Sequence, residues 1–379
     1  MKLVLDGPQQ MLAQSAADFM AANDAILRLR ELRGSSDELG YSPEVWREMA
    51  DLGWTGIPFA EADDGLGLGL AEVVLITEAL GRGLAPEPYV SAVVLAGSLL
   101  DGATAEQKAV WIGSTIAGEK RLTVAYQEAG SRYDLSNVQT LAAPSGDGWI
   151  LSGEKVHVLD GYGADGWIVA ARTLGDAAST DGITLFLVPA DRAGVSVVRQ
   201  RRVDSRNAAI LHFDGVITGN GDVIGQVGGG LAPLTSAVDR ATVALCGEML
   251  GGMSEAFDRT ITYLNEREQF GVLIGTFQAL KHRAAKMFIE RELVRSVVMS
   301  AARAVDEGAE DATIQVSNAK ARCSDAYILL TNEALQMHGG IGMTDEHDIG
   351  LFMKRARVSE MTFGDAAFHR NRFGELLGF

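Results

Sequence analysis

Apolar positions recur at two different periods along this chain, and the change of period divides it into three stretches. Up to about residue 118 the spacing is helical: Leu12, Phe19, Ile26 and Leu27 fall near one helix face. Ser42-Pro43 predicts the start of a short helix, with Ser as N-cap, Pro in the first turn and Gly53 placed to close it. Residues 71–80 continue the pattern, with Gly81 and Gly83 as stop signals, and 104–117 read as a further amphipathic helix. From about 120 to 224 the apolar runs shorten. The runs 121–126, 149–152, 167–171, 183–188 and 210–213 are rich in β-branched and aromatic residues, punctuated by Gly, Asp and Asn, and they predict strands. From about 229 the helical period returns, over 230–265, 277–306 and 312–337, with shorter segments near 345–357 and 364–376. Gly228-Gly229-Gly230 opens the first of these, and breaks fall at 271–275 and at Glu307-Gly308.

The order predicts an α+β chain. It has an all-helical N-terminal domain over 1–118, a central β-barrel or sandwich over 119–226, and a C-terminal antiparallel four-helix bundle over 227–379. Strands come as a block and do not alternate with helices, which argues against a doubly wound sheet. Trp46, Trp54 and Trp111 read as anchors of the N-terminal helices, and Met287, Met299 and Met353 as core filler.

Composition narrows the chemistry. The 379 residues carry 33 Lys and Arg against 50 Asp and Glu, a net charge of −17 that disfavours nucleic acid and anionic membranes as partners. The two cysteines, Cys246 and Cys323, sit in apolar helical sequence and suit neither a disulfide framework nor a metal site, so a reducing cytoplasm is expected. The opening residues 1–7 hold too short an apolar run for a signal peptide. No window approaches ~18 uninterrupted apolar residues, so no membrane span is expected.

Two segments carry candidate ligand chemistry. Arg267-Glu268-Gln269-Phe270-Gly271 ends a long helix; an Arg there meets a phosphate bidentately, Phe covers a ring, and Gly permits a sharp turn. Taken alone it reads more simply as a surface Arg beside a C-cap glycine. Gln336-Met337-His338-Gly339-Gly340-Ile341-Gly342 follows another helix, and its glycines let a ligand approach the backbone. Together with Phe277-Gln278 and Lys281-His282, these segments resemble the acyl-CoA dehydrogenase family. Gly153-Glu154-Lys155 and 211–216 in the strand region are similar to its β-domain.

The resemblance implies FAD as cofactor, held across a subunit interface, with Arg267, Gln269, Phe270, Gly271, Gln278, Gln336, Gly339 and Gly340 as its binding residues. It also implies an acyl-CoA thioester as substrate and electron-transfer flavoprotein as electron acceptor. The expected assembly is a homodimer or tetramer, or an α2β2 complex with a paralogous subunit. In the family a carboxylate takes the α-proton while the β-hydrogen leaves as hydride to the flavin. This chain departs there. Gly364 matches the family glycine, which puts Phe363 at the usual Glu position, and Ala241 stands at the alternative one. Asp365 and Asp239, with Glu360 and Glu248, remain as weak candidates for a relocated acid, each read more simply as a capping or solvated carboxylate. The family's flavin-facing segments become Gln127-Glu128-Ala129-Gly130-Ser131-Arg132-Tyr133-Asp134 and His157-Val158-Leu159; Leu159 has no hydroxyl to offer a flavin.

Three readings follow: a subunit of a heteromeric enzyme of the steroid side-chain type, a homomeric dehydrogenase with a moved base, or a non-redox or desulfinase-like relative. Two further expectations concern the ligands. Ala241, Thr242, Ala244, Gly247, Gly251 and Gly252 hint at room for a bulky acyl group, or at tight helix packing. The run Arg199, Arg201, Arg202 and Arg206 is placed to meet CoA or a partner chain, or to form a solvated loop.

Overall fold

The computed structural model describes residues 4–35 and 39–379, so Met1, Lys2 and Leu3 of the opening stretch lie outside the described residues. The N-terminal helices are α1 (Gly7–Ala22), α2 (Ala25–Gly34), α3 (Pro43–Asp51), α4 (Leu70–Arg82), α5 (Gly97–Leu99) and α6 (Ala105–Ile116). A π-helical stretch, Tyr89–Ala96, runs directly into α5. The strands follow: β1 (Leu122–Ala125), β2 (Leu141–Ser145), β3 (Gly148–Leu159), β4 (Gly166–Arg172), β5 (Ile183–Pro189), β6 (Val195–Arg201), β7 (Asn207–Gly219) and β8 (Val223–Ile224). Then come α7 (Leu231–Glu266), the short strands β9 (Glu268–Gln269) and β10 (Val272–Leu273), α8 (Gln278–Asp306), α9 (Ala312–His338), α10 (Ile349–Met361) and α11 (Ala366–Leu376). No helix among the described residues is long and apolar enough to cross a membrane.

The local signals act as the sequence suggests. Ser42 Oγ accepts from the Val45 amide at 3.3 Å and so caps α3. Gly53, two residues past the helix, takes φ of +78°, a conformation that is costly for residues with a Cβ. Thr104 and Gln107 form a reciprocal capping box on α6.

Contacts group the chain into two compact units. One contains α1, α4, most of α7 and α8–α11; the other contains α3, α5, α6 and β1–β8. In the first, Asp306 at the end of α8 accepts the Leu70 and Ala71 amides at 2.7 and 3.0 Å, supplying partners for two of the amides that a helix N-terminus leaves unpaired. Glu78 of α4 meets Arg295 of α8 through two bonds of 2.9 Å. α4 and α7 approach backbone to backbone: a Cβ on Gly251 would lie 1.9 Å from the Glu78 carbonyl oxygen, and one on Gly81 would lie 2.0 Å from that of Glu248. On Gly247 it would sit 2.3 Å from Thr77 Oγ1, and on Gly252 2.0 Å from the Tyr327 hydroxyl. The three glycines of α7 are thus consumed by helix contact. The expectation that they leave room for an acyl group is corrected at Gly247, Gly251 and Gly252.

In the second unit the strands form one sheet in the order β6-β7-β3-β2-β4-β5-β8, with β1 also on β4. Its pairs are antiparallel except those of β1 and β2 with β4. β1 pairs along 166–169 of β4, while β2 meets it only at Arg172. The sheet is not closed, which corrects the barrel form of the expectation. Trp167, Phe186, Leu211 and Phe213 are buried in its core.

Gly251→Ala forces the α4–α7 contact apart. We expect a stability loss of about 1–3 kcal/mol in urea unfolding; an unchanged midpoint would show that the two helices separate without cost.

Candidate cofactor surface and catalytic turn

The predicted cofactor residues gather at one end of the first unit. Tyr263, in the last turn of α7, stacks on His338 at the end of α9 with ring centroids 4.5 Å apart. Arg283, near the start of α8, pairs with Glu333 near the end of α9. These contacts bring the segment 267–271, Gln278 and the segment 336–342 to a common end. Gln269 pairs with Val272 across a two-residue loop in which Phe270 and Gly271 have φ of +56° and +77°. That is the pattern of a type I′ hairpin, for which a bulky first residue is unfavourable by about 1–2 kcal/mol. Phe270 is nonetheless 93% exposed, its ring edge-on to that of Phe277 with centroids 6.2 Å apart. Arg267, Gln269, Gln278 and Gln336 are exposed as well. Gly339 and Gly340 are exposed, and a Cβ on either would meet nothing within 4 Å.

His338 is buried. Its Nδ1 lies 2.7 Å from the Ala334 carbonyl, which can only accept, so Nδ1 holds the proton; Nε2 has no partner. Burial holds its pKa below the usual histidine value. His282 is exposed on α8, and His212 pairs with Glu154 across β3 and β7 at 3.1 Å, as a structural residue would.

The turn expected to carry a base is closed and tightly held. Phe363 is 5% exposed with φ of +59°, and Gly364 follows at +115°. Lys320 of α9, fully buried, donates to the Glu360 carbonyl at 2.9 Å, the Gly364 carbonyl at 2.6 Å and Ser324 Oγ at 3.1 Å. Burial lowers its pKa to about 8. His369 of α11 donates from Nε2 to the Phe363 carbonyl at 3.1 Å; burial, then the Lys320 charge, push its pKa down to about 3. The candidate acids have other work. Asp365 caps α11 through the Phe368 amide at 2.8 Å, Glu360 faces Arg357 at 3.4 Å, and buried Glu248 pairs with Arg355 at 2.9 Å. Asp239 is half-buried on α7, two residues before fully buried Ala241.

In the strand unit, Glu128 is the anchor of its loop. It accepts from the Gln139 and Thr140 amides at 2.8 and 2.9 Å, Thr140 Oγ1 at 2.7 Å and Lys155 Nζ at 2.6 Å. Burial opposes its ionisation but is outweighed by the Lys155 charge and these hydrogen bonds, so its pKa is lowered. Lys155 is fully buried, and burial brings its pKa down to about 8 despite Glu128. His157, at a bulge in β3, has φ of +51° and donates its amide to Gln200; Leu159 is half-buried. Of the arginine run, Arg202 lies 3.5 Å from Asp204 and Arg206 donates to the Glu87 carbonyl at 3.1 Å. Sequence reasoning missed Lys320 and His369. The available signal was the place of Lys320 on the buried stripe Val316, Lys320, Cys323 and Tyr327 of α9.

Comparison with known proteins is consistent along the whole chain. Models of the acyl-CoA dehydrogenase N-terminal, middle and C-terminal domains match residues 7–119, 123–216 and 228–377. A solved variant of the Tcur3481-Tcur3483 steroid ACAD is 32% identical with a TM-score of 0.87, covering 98% of this chain and 97% of that one. The chain belongs to the acyl-CoA dehydrogenase family. The ChsE4-ChsE5 complex from Mycobacterium tuberculosis is 28% identical with a TM-score of 0.89, over 100% and 99% of the two chains. Isovaleryl-CoA dehydrogenase of Pongo abelii is 29% identical over 97% of this chain and 88% of that protein. As an acyl-CoA dehydrogenase the chain is an oxidoreductase of the flavoprotein class. The open glycines and the exposed guanidinium and amides suit a phosphate-bearing dinucleotide at this end of the unit.

Glu128→Gln strands the Lys155 ammonium, and we expect a loss of about 3–5 kcal/mol in denaturant unfolding near pH 7. The folded Lys155 value of about 8 lies below the ordinary 10.5, so the folded state binds fewer protons between those values and stability rises with pH there. Without Glu128 that window extends lower, and the deficit of the variant is larger near pH 6 than near pH 8.5.

Proposed function

We propose that this chain is an FAD-binding subunit of a heteromeric acyl-CoA dehydrogenase, in which a paralogous subunit supplies the catalytic base. The reaction is α,β-dehydrogenation of an acyl-CoA thioester, with electron-transfer flavoprotein as electron acceptor. The observation that carries this reading is the turn at Phe363. A buried phenyl group stands where the family places its carboxylate, and Ala241 fills the alternative position. Neither side chain accepts a proton. Asp365, one residue further, is committed to capping α11.

FAD, when bound, supplies the hydride acceptor. The roles of this chain's residues are to grip and to orient it. Arg267 offers a guanidinium to phosphate oxygens, Gln269, Gln278 and Gln336 offer amide groups, and the backbone at Gly339 and Gly340 admits close approach. Phe270 and Gly271 shape the hairpin, with Phe270 as an apolar cover. Because these groups all face outward, they fit a dinucleotide shared with a neighbouring subunit. The two heteromeric relatives named above favour that assembly over a homomer.

Expression alone and together with a paralogous family subunit tests the proposal. Colourless protein alone and yellow, substrate-reducible protein on co-expression is the expected result. Yellow protein from this chain alone that is bleached by an acyl-CoA would sink the partner requirement. In the FAD-loaded assembly, Arg267→Ala should lower flavin content at least tenfold, read by absorbance, while the melting temperature of the flavin-free chain stays within a degree or two.

A further inference from the structure

The turn 360–365 is more heavily fixed than a loop carrying only an apolar side chain needs. Its carbonyl groups at Glu360, Phe363 and Gly364 are each held by a side chain from another element, Lys320 of α9 or His369 of α11. Lys320 is 0% exposed and His369 1% exposed, so each bond is made away from water. The ammonium has three hydrogens, and three acceptors take them all. Asp365 fixes the end of the turn by capping α11. The conformation so held is an unfavourable one: Phe363 is a bulky residue in the left-handed region, followed by Gly364 at φ of +115°. A Cβ on Gly364 would lie 2.5 Å from the Phe368 ring and 2.7 Å from His369 Nε2, so the turn is also packed shut from below.

We propose that Lys320 and His369 are positioning residues for the side chain at 363, which they hold in the orientation a base would need although this chain places a phenyl group there. The idea rests on the family reading of position 363 given above. It goes beyond that reading in assigning two buried groups, on α9 and α11, the task of aiming that side chain. Its consequence is that the turn retains the geometry of a catalytic site while its chemistry has been removed by one substitution.

Two measurements test this in the full-length chain. The first needs no cofactor: hydrogen exchange, read by mass spectrometry, over a peptide spanning 360–366. Lys320→Met should raise exchange there at least tenfold and leave peptides from the middle of α7 and α8 unchanged. Should Lys320→Met fail to fold, His369→Leu removes only the Phe363 bond, with an expected increase of about threefold that His369→Gln, which keeps a donor, reverses. Unchanged exchange in the folded variants overturns the proposal.

The second measurement reads function in the FAD-loaded assembly. Phe363→Glu should give this chain's own site the ability to reduce flavin with a panel of butyryl-, octanoyl-, isovaleryl- and steroid-CoA esters, with a pH profile rising through the carboxylate range. Adding His369→Leu to Phe363→Glu should lower kcat about tenfold with KM within twofold, and His369→Gln should restore it. Bound FAD with no reduction in Phe363→Glu, or an unchanged kcat in the double variant, overturns the positioning role. Failure of wild-type chain to take up FAD in any combination would instead sink the proposed function, and the exchange experiment would still decide on the clamp.

Discussion

A buried ammonium group holds the C-terminal helices of the first unit in place. Lys320 makes no ion pair among the described residues; its hydrogens go to two carbonyls and a hydroxyl, while the Glu360 and Asp365 carboxylates act on it only through space. One of those carbonyls, of Glu360, belongs to the last turn of α10, where unpaired carbonyl groups and the helix dipole favour a cation. Burying a charge in this way is costly unless every hydrogen finds an acceptor, and here every one does. A value near 8 leaves the group mostly protonated at neutral pH, which is the form with three hydrogens to give. The end of α10, the turn after it and the start of α11 therefore depend on one side chain of α9.

The strand unit solves a similar problem with an ion pair. Between β1 and β2 the chain runs without a sheet ladder, and its amides need partners from side chains. Glu128 takes those of Gln139 and Thr140, and Lys155 from β3 neutralises it. Arg172 of β4 does the complementary work, donating to the carbonyls of Ser136, Val138, Ala177, Ser179 and Asp181. In both units irregular backbone is fixed by a long cationic side chain reaching out from a regular element. Within the segment 127–134, where several positions depart from the expected flavin-facing pattern, Glu128 thus has a structural role.

Most of the elements were legible because their signals are local. Ser42, Thr104 and the glycines around 228–230 act within a few residues of where they stand. The misses share a different cause. The run 89–96 is apolar except for Ser91, so no period distinguishes strand from helix, and only its packing makes it π-helical. β2 contains Pro144 and exposed ends, and β6 alternates only weakly, so neither reads as a strand until β3 and β7 are alongside. Sheet closure is likewise a property of non-local pairing. The small residues of α7 could be read as room or as contact, and only the position of the α4 backbone decides it. Lys320 and His369 act on a turn some 40 and six residues away in sequence, and a spacing pattern carries no trace of the first of these.

Two phenylalanines in left-handed backbone define the functional argument. Phe270 is 93% exposed and Phe363 5% exposed. The strain at Phe363 is offset inside this chain, by burial of the ring and by the bonds to its turn. The strain at Phe270 is not, because the ring covers almost nothing of its own subunit and an exposed phenyl gains no hydrophobic free energy. In the proposed assembly a group from outside the chain covers it. Arg267 beside it adds a positive charge on a protein whose net charge is −17, so the covering group is best supplied with negative charge and an apolar face. A dinucleotide held against a second subunit has both. In the proposed assembly the chain is therefore outward-facing where a cofactor would be gripped and closed where a proton would be taken, which is the division expected of one half of a shared active site.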